Sequence, residues 1–283
     1  MNSLSYLNSI YFTNKLKTGP ANPILTNLRL WLDAKDPSGN GTIITENTNL
    51  SQWIDKSGYN NNASAISFAT GTDASSAVPY QITGFNSFYP AFNFVSESKI
   101  RFAGAFNTNT SRVPTSSKII GNSTRCFIVA TIIDSTVINQ RSISFSNGYK
   151  QNDFNTVQAW GFLKQTSTGM GPNRNGVRIN NTPSATNLPL IWEAWFDGTN
   201  ESTTFLNGNS TITNNRTNTG TFNISDYAVA SNTNPVDGDY TGQISEILVY
   251  SGTMTPENVE LTEAYLAYKW GLQDTLPDTN PYK

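Results

Sequence analysis

Short apolar runs separated by polar turns fill most of this chain. In the first clear run, Leu28, Leu30 and Leu32 fall on one face of an extended segment. The continuous β-branched run at 127–133 is typical of a strand buried on both faces, and Asp-Gly at 197–198 and Asn-Gly at 207–208 favour tight hairpins. Further strands are expected at 90–94, 141–145, 157–163, 176–179, 190–196, 202–206, 227–230 and 244–250. Strands punctuated by turns at intervals of roughly 8–12 residues predict an antiparallel sandwich or barrel.

The last strand is followed by signals for one short helix. Thr255 is a suitable N-cap, Pro256 suits the first helical position, and Glu257 suits the positive end of the helix dipole. Lys269 suits the opposite end, and Gly271 can terminate the helix. The face expected to pack on a sheet contains Leu261, Tyr265 and Tyr268.

The N-terminal segment differs from the rest. Gly19, Pro20 and Pro23 mark a break, which divides the chain into an N-terminal arm at 1–27 and a domain at 28–283. The first 20 residues are polar and lack the apolar core of a signal peptide, and no apolar stretch approaches the length of a membrane span. We therefore expect folding in a reducing cytoplasm, with the arm anchoring the domain to a partner.

Charge is sparse in this chain. Only 13 % of the 283 residues are charged and the net charge is -2, whereas about 25 % is usual. The sequence contains no basic run that would indicate nucleic-acid binding or attraction to an anionic membrane. A surface of Asn, Thr, Ser and Gln is typical of sugar-binding proteins and structural shells, and codon bias in an AT-rich genome would produce the same composition.

The chain contains no histidine, which excludes Ser-His-Asp and Cys-His catalysis and the usual zinc and iron sites. Its single cysteine, Cys126, cannot form an internal disulfide. Because Cys126 stands in an apolar run, we expect it to be buried.

Several motifs together resemble the LamG-like jelly-roll modules of the concanavalin A-like lectin/glucanase superfamily. The resemblance covers about residues 28–272 and is carried by LWLDAKD at 30–36, WIDKSG at 53–58, PAFNF at 90–94, the hairpin motifs around 197–208, the strand at 242–250 and YLAYKWGL at 265–272. It implies an all-β fold: an antiparallel jelly-roll β-sandwich with a short C-terminal helix. It also implies carbohydrate or protein binding, as in modules of phage and giant-virus virion proteins and of bacterial surface proteins.

Catalytic residues are not expected. Glucanases of this superfamily place carboxylates two residues apart on one strand in a Glu-x-Asp-x-x-Glu pattern, which this sequence lacks. Glu193 with Asp197, and the isolated Glu246, do not have that spacing. Glu193 stands in a strong strand, where an outward-facing, solvated carboxylate is the ordinary expectation.

Calcium is the candidate cofactor, although none is required. Asp237 and Asp239 flank a glycine in an acidic turn, and Asn232 and Asn234 lie close by in the sequence. A second acidic turn runs from Asp33 to Asp36. The alternative at both turns is ordinary Asx-turn chemistry, in which the carboxylate caps its own backbone.

Sugar recognition needs an aromatic face for the C–H groups of the ring and polar groups for its hydroxyls. The candidates, chosen because they stand near polar loops, are Tyr59, Tyr149, Trp160, Trp195 and Tyr240.

These observations favour a non-enzymatic structural or surface protein of a virion, such as a capsid decoration, fibre or tail component. Its arm would contact other virion proteins, and its sandwich would face outward to bind host glycans. We expect a homo-oligomer, because few charges would need desolvation at a subunit interface. One alternative is a bacterial cell-surface carbohydrate-binding module exported without a signal peptide, and another is a carbohydrate-active enzyme.

Overall fold

The computed structural model shows two packed antiparallel sheets and one short helix. It describes residues 19–42, 44–67, 72–73, 78–86, 88–94, 100–105, 119–120, 124–132, 140–146, 160–166, 169–174, 177–178, 182–183, 188–196, 201–215, 223–224, 226–230 and 240–283. The fold class predicted from the sequence, an antiparallel jelly-roll β-sandwich with a C-terminal helix, is confirmed.

Nine of the described strands form the first sheet. Its main path is β18-β17-β16-β10-β21-β7-β6-β2, and β1 pairs with β21. The strands are β1 (Leu28–Asp33), β2 (Asn49–Leu50), β6 (Val78–Phe85), β7 (Tyr89–Phe94), β10 (Thr124–Ile132), β16 (Leu190–Phe196), β17 (Glu201–Leu206), β18 (Asn209–Asn215) and β21 (Gly242–Ser251).

The second sheet contains ten of the described strands. Its main path is β14-β13-β12-β11-β20-β8-β4-β3, with β15 paired to β13 and β5 to β4. The strands are β3 (Gln52–Trp53), β4 (Ala63–Ser67), β5 (Thr72–Asp73), β8 (Ile100–Ala105), β11 (Gln140–Ser146), β12 (Trp160–Thr166), β13 (Gly169–Arg174), β14 (Val177–Arg178), β15 (Thr182–Pro183) and β20 (Asp226–Val229). A separate ladder joins β9 (Ile119–Ile120) to β19 (Asn223–Ile224).

Aromatic rings from both sheets fill the space between them. Trp53 and Phe102 of the second sheet meet Phe92 of the first, with ring centroids 4.4 Å (Trp53 to Phe92) and 4.9 Å (Phe102 to Phe92) apart. All three side chains are fully buried. Cys126 is buried and unpaired in this core, as its apolar surroundings predicted.

The hairpin predicted at Asn207-Gly208 is confirmed. Asn207 and Gly208 both adopt positive φ between β17 and β18, which is the conformation that matches the strand twist in a two-residue turn. The Asn207 side chain also accepts a hydrogen bond from the Ile191 N–H at 2.8 Å. The Asp-Gly turn at 197–198 lies outside the described residues, but the β16 and β17 strands that flank it pair as expected.

Helix α1 (Pro256–Lys269) begins and ends as predicted. Thr255 accepts a hydrogen bond from the Asn258 N–H, and Gly271 adopts a positive φ of 70° just beyond the C-cap residue Trp270. A short 3-10 turn follows at Gln273–Thr275. The buried part of α1 is broader than the predicted face: residues 262–267 are all buried, whereas Leu261 and Tyr268 are only half-buried.

The described end of the N-terminal segment packs on the domain. Pro23 is buried, Ile24 contacts the hydrophobic core, and the Asn27 carbonyl accepts a hydrogen bond from the Ser251 N–H. A Cβ added to Gly19 would collide with the Tyr268 side chain, so this glycine lies directly against α1. Residues 1–18 of the predicted arm lie outside the described residues. Within the part that is described, no helix has the length and apolar character needed to cross a bilayer.

Candidate functional site

Glu246 lies at the centre of a buried network under helix α1. It projects from β21 with 0 % of its surface exposed, and three ring-bearing side chains donate to its carboxylate. Trp31 Nε1 and the Tyr265 hydroxyl each lie 2.7 Å from Oε1, and Trp270 Nε1 lies 2.5 Å from Oε2. In the sequence Glu246 stands apart from other carboxylates, and the fold brings its partners from β1 and α1.

Two lysines extend this network into a chain of alternating charges. Lys269 Nζ lies 2.9 Å from Glu246 Oε2 and 2.9 Å from Asp33 Oδ2. Lys56 Nζ lies 3.0 Å from Asp33 Oδ2 and 3.1 Å from Asp36 Oδ2. We call these five side chains, Asp33, Asp36, Lys56, Glu246 and Lys269, the ionic centre.

Opposite effects set the protonation of the two most buried acids in the ionic centre. Burial raises the pKa of Glu246, and the charge of Lys269 opposes that rise. Burial also disfavours ionised Asp33, but Lys269 and Lys56 outweigh it and lower the pKa of Asp33. The positive charges of the lysines therefore offset the free-energy cost of burying the ionised carboxylates of Asp33 and Glu246. Because these side chains pair with one another, the ionic centre links α1 and β1 to β21.

A second group of buried charges lies under the same helix. Glu193 of β16 forms an ion pair with Arg125 of β10, and the Glu263 carboxyl of α1 lies beside it. Only 1 % of Glu193 and 4 % of Glu263 is exposed. The prediction that Glu193 is a solvated, outward-facing carboxylate was wrong. Its side chain does leave the inner core, but α1 covers that face of the sheet.

Burial and the repulsion between the two carboxyls favour one shared proton on the acid pair of Glu193 and Glu263. Burial, followed by the neighbouring Glu193 charge, raises the pKa of Glu263 to about 9, and Glu260 adds to the rise. Burial also raises the pKa of Glu193, with Arg125 opposing it. With Glu263 protonated, the acid can donate to Glu193, and the single Arg125 charge then matches a single carboxylate. Asn280 Nδ2 donates a hydrogen bond to Glu263 Oε2 at 3.4 Å.

An exposed aromatic ring lies on the loop between β3 and β4. Tyr59 is 42 % exposed, and the loop that carries it is organised by the buried Asp55 carboxylate. Asp55 accepts hydrogen bonds from the N–H groups of Trp31, Ser57 and Asn61 and from the Ser57 hydroxyl, all at 2.8–2.9 Å. Positive φ at Gly58 (89°) and at Asn60 lets the chain reverse on either side of the ring.

Arg29 on β1 supports this ring. Its guanidinium carbon lies 4.5 Å from the centroid of Tyr59, and its backbone carbonyl accepts hydrogen bonds from Ser57 Oγ and Asn61 Nδ2. Strand and loop are thus tied together beneath an exposed ring. We call Arg29, Ser57 and Tyr59 the Tyr59 platform.

The other predicted sugar-binding aromatics are not brought to this platform. Tyr240 is 1 % exposed and its hydroxyl donates to the Thr131 carbonyl, so its face is not available to a ligand. Trp195 is half-buried, with the Arg125 guanidinium carbon 5.3 Å from its ring centroid. Tyr149, and the side chain of Trp160 on β12, lie outside the described residues.

The acidic turn at 33–36 shows the Asx-turn alternative. Asp33 Oδ1 accepts from the Lys35 N–H and Asp36 Oδ1 from the Gly41 N–H, while their remaining oxygens face Lys56. Among the described residues, no group of three or more acidic, histidine or cysteine side chains is arranged to hold a metal. Asp237 and Asp239 lie outside the described residues, so calcium binding at that turn stays a prediction.

The fold, but no sequence family, connects this chain to known proteins. No family model and no curated protein matches it. Domain 4 of AbnA, an extracellular GH43 arabinanase from Geobacillus stearothermophilus solved with arabinotriose, is 12 % identical at a TM-score of 0.55, over 84 % of this chain and 98 % of that domain. These values establish a shared β-sandwich fold.

Two other similar structures belong to longer proteins. Trypanosoma rangeli sialidase, solved with 2,3-difluorosialic acid as a covalent intermediate, is 10 % identical at a TM-score of 0.54, over 90 % of this chain and 34 % of the sialidase. The binding domain of botulinum neurotoxin serotype D is 13 % identical at a TM-score of 0.52, over 87 % of this chain and 51 % of that one. This chain therefore spans about a third of the sialidase and half of the toxin fragment.

The ionic centre predicts a strong effect of one lysine on stability. Lys269→Met should lower the free energy of unfolding by about 3–5 kcal/mol, because it leaves buried Glu246 and Asp33 without their shared cation. Lys283→Met is the control. It removes a bridge to Asp278, whose side chain is 94 % exposed, and should leave the free energy of unfolding nearly unchanged. If urea denaturation gave the same loss of unfolding free energy for Lys269→Met and Lys283→Met, a stabilising role for the ionic centre would be contradicted.

The acid pair predicts a pH dependence with a definite sign. The folded-state pKa of Glu263, about 9, exceeds the ordinary glutamate pKa of 4.5. Its contribution is therefore complete below pH 4.5 and is lost as the pH rises toward 9. Glu263→Gln keeps a donor for Glu193 without needing a proton, so it should stabilise the protein at pH 8 by about 1–3 kcal/mol and flatten the stability profile.

Thermal and urea unfolding between pH 5 and about 9 measure this effect. Glu257→Gln, at an exposed position on the first turn of the same helix, is the matched control and should leave the profile unchanged. A Glu263→Gln profile that still falls with pH as in the unmodified protein would show that another group takes up the proton.

Proposed function

We propose that this chain is a non-enzymatic carbohydrate-binding sandwich that contacts its sugar through the Tyr59 platform. The observation that carries this proposal is an exposed aromatic ring on a loop whose backbone is fixed by a buried carboxylate. A fixed ring offers an apolar face for the C–H groups of a sugar without an entropic cost of ordering the loop. Ser57 and Arg29 add polar groups beside it.

The shared fold supports binding as the function. Domain 4 of AbnA has nearly its whole length matched by this chain, and that domain was solved in complex with arabinotriose. The neurotoxin neighbour is itself described as a binding domain. A sandwich of this kind can therefore serve as a recognition unit beside, or without, a catalytic one.

The state of the described carboxylates supports a function without catalysis. Glycoside hydrolysis needs two carboxyl groups on either side of a substrate bond. The acid pair does bring two carboxyls together, but helix α1 covers both. Glu246 and Asp33 are held by Lys269, and Asp55 accepts four hydrogen bonds from its own neighbourhood.

We further propose that the sandwich is a LamG-like module displayed on a virion, with residues 1–18 reaching a neighbouring virion protein and the domain forming a homo-oligomer. The support is the motif resemblance and the low charge of the chain. A bacterial cell-surface module is the alternative. Mass spectrometry of purified virions, against surface fractions of bacterial cells, separates the two: recovery from cell surfaces alone would contradict display on a virion.

Tyr59→Ala should weaken glycan binding about fivefold or more, because stacking of an aromatic ring contributes on the order of 1 kcal/mol or more. A glycan array with the unmodified protein identifies ligands, and calorimetry on the best ligand measures the change. The loss should appear without a change in unfolding temperature, since Tyr59 is exposed.

Phe88→Ala is the matched control. Phe88 is 83 % exposed on the turn between β6 and β7, away from the Asp55 loop, so its removal tests for general stickiness of exposed rings. Equal losses in the two variants would contradict a specific site at Tyr59. An array with no bound glycan would contradict the proposed function as a whole.

A further inference from the structure

We propose that the Tyr59 platform selects a carboxylate-bearing sugar, such as a uronic acid, through the guanidinium of Arg29. This inference rests on the proposed function and names the class of ligand at the same site. It starts from the guanidinium of Arg29, which forms no ion pair with a described residue, in a chain where only 13 % of residues are charged.

Among the described cations near the helix-covered face, Arg29 and Lys35 form no ion pair, and Lys35 is exposed with its Nζ donating to the Lys269 carbonyl. Lys56, Lys269 and Arg125 each lie within ion-pairing distance of a carboxylate. Arg29 forms no ion pair with any described residue, and its Nε–H is buried without a hydrogen-bond partner there. A guanidinium that is fixed but not neutralised is suited to an anionic ligand.

The geometry of Arg29 favours a planar anion. Its guanidinium carbon lies 4.5 Å from the Tyr59 ring centroid and its Nε–H is buried, so contact with a ligand falls to the two terminal NH2 groups. A carboxylate can accept two such bonds in parallel, whereas a hydroxyl cannot. A sugar stacked on the Tyr59 ring would then place an acidic substituent next to these donors.

The buried Asp55 carboxylate accepts its hydrogen bonds from neutral donors and forms no ion pair with Arg29. Asp55 directs its two oxygens to four donors of its own loop and strand, namely the N–H groups of Trp31, Ser57 and Asn61 and the Ser57 hydroxyl. The same bonds, with those to the Arg29 carbonyl, hold the backbone on both sides of the site. The cation is therefore presented by a rigid frame, which raises its selectivity as well as its affinity.

Calorimetry with a galacturonic acid trisaccharide and its methyl ester tests this inference. The two ligands share a ring shape and differ in charge. The unmodified protein should bind the free acid at least about tenfold more tightly than the ester at low salt. Arg29→Gln should abolish that preference while retaining binding of the ester, and Arg29→Lys should keep only part of it, because an ammonium cannot pair in two places with a carboxylate.

Lys283→Gln is the control for general electrostatics, since it removes a surface charge at the C-terminus and should leave the preference intact. A preference for the acid that survives in Arg29→Gln would overturn the inference. So would tight binding of neutral glycans through Tyr59 with no preference for the acid, which would leave the proposed function standing. Failure of every glycan to bind would overturn both.

Discussion

The pairing of Lys269 with Glu246, deep under helix α1, is the interaction on which the rest of this structure depends. Glu246 projects from the strand at the middle of the first sheet, where a carboxylate alone would be too costly to bury. The ion pair with Lys269 and the hydrogen bonds from Trp31, Tyr265 and Trp270 compensate the cost of burying Glu246. Because those partners come from both ends of the chain, compensation of one carboxylate fixes how α1 and β1 sit on the sheet.

The acid pair and the ionic centre also fix the position of the helix along the sheet. Under α1 the sheet presents Arg125 with Glu193 at one place and Asp33 with Glu246 at another, and the helix presents Glu263 to the first and Lys269 to the second. A helix shifted by one residue would leave buried charges unmatched, at a cost of several kcal/mol. An apolar helix on an apolar sheet would lack this discrimination, so we infer that the buried charges contribute specificity of packing.

Local signals in the sequence predicted the elements but not these clusters. Alternation predicted β1, the apolar run predicted β10, and Thr255 with Gly271 predicted the limits of α1. Glu193 looked solvated because an outward residue on a strand usually is. Its covering helix lies some 60 residues later in the sequence, and the Trp31 partner of Glu246 is 215 positions away. A signal did exist: Glu246 interrupts a strand that is apolar on both faces, and such a charge needs a buried partner.

Trp31 connects the buried half of the molecule to its exposed platform. Its indole donates to Glu246 inside the ionic centre, while its backbone N–H donates to Asp55 and its carbonyl accepts from the Lys56 N–H. Strand β1 thus carries Asp33, which pairs with two lysines, and Arg29, which pairs with no described carboxylate. Four motifs of the resemblance, at 30–36, 53–58, 242–250 and 265–272, supply the residues of this path, so their role here is structural.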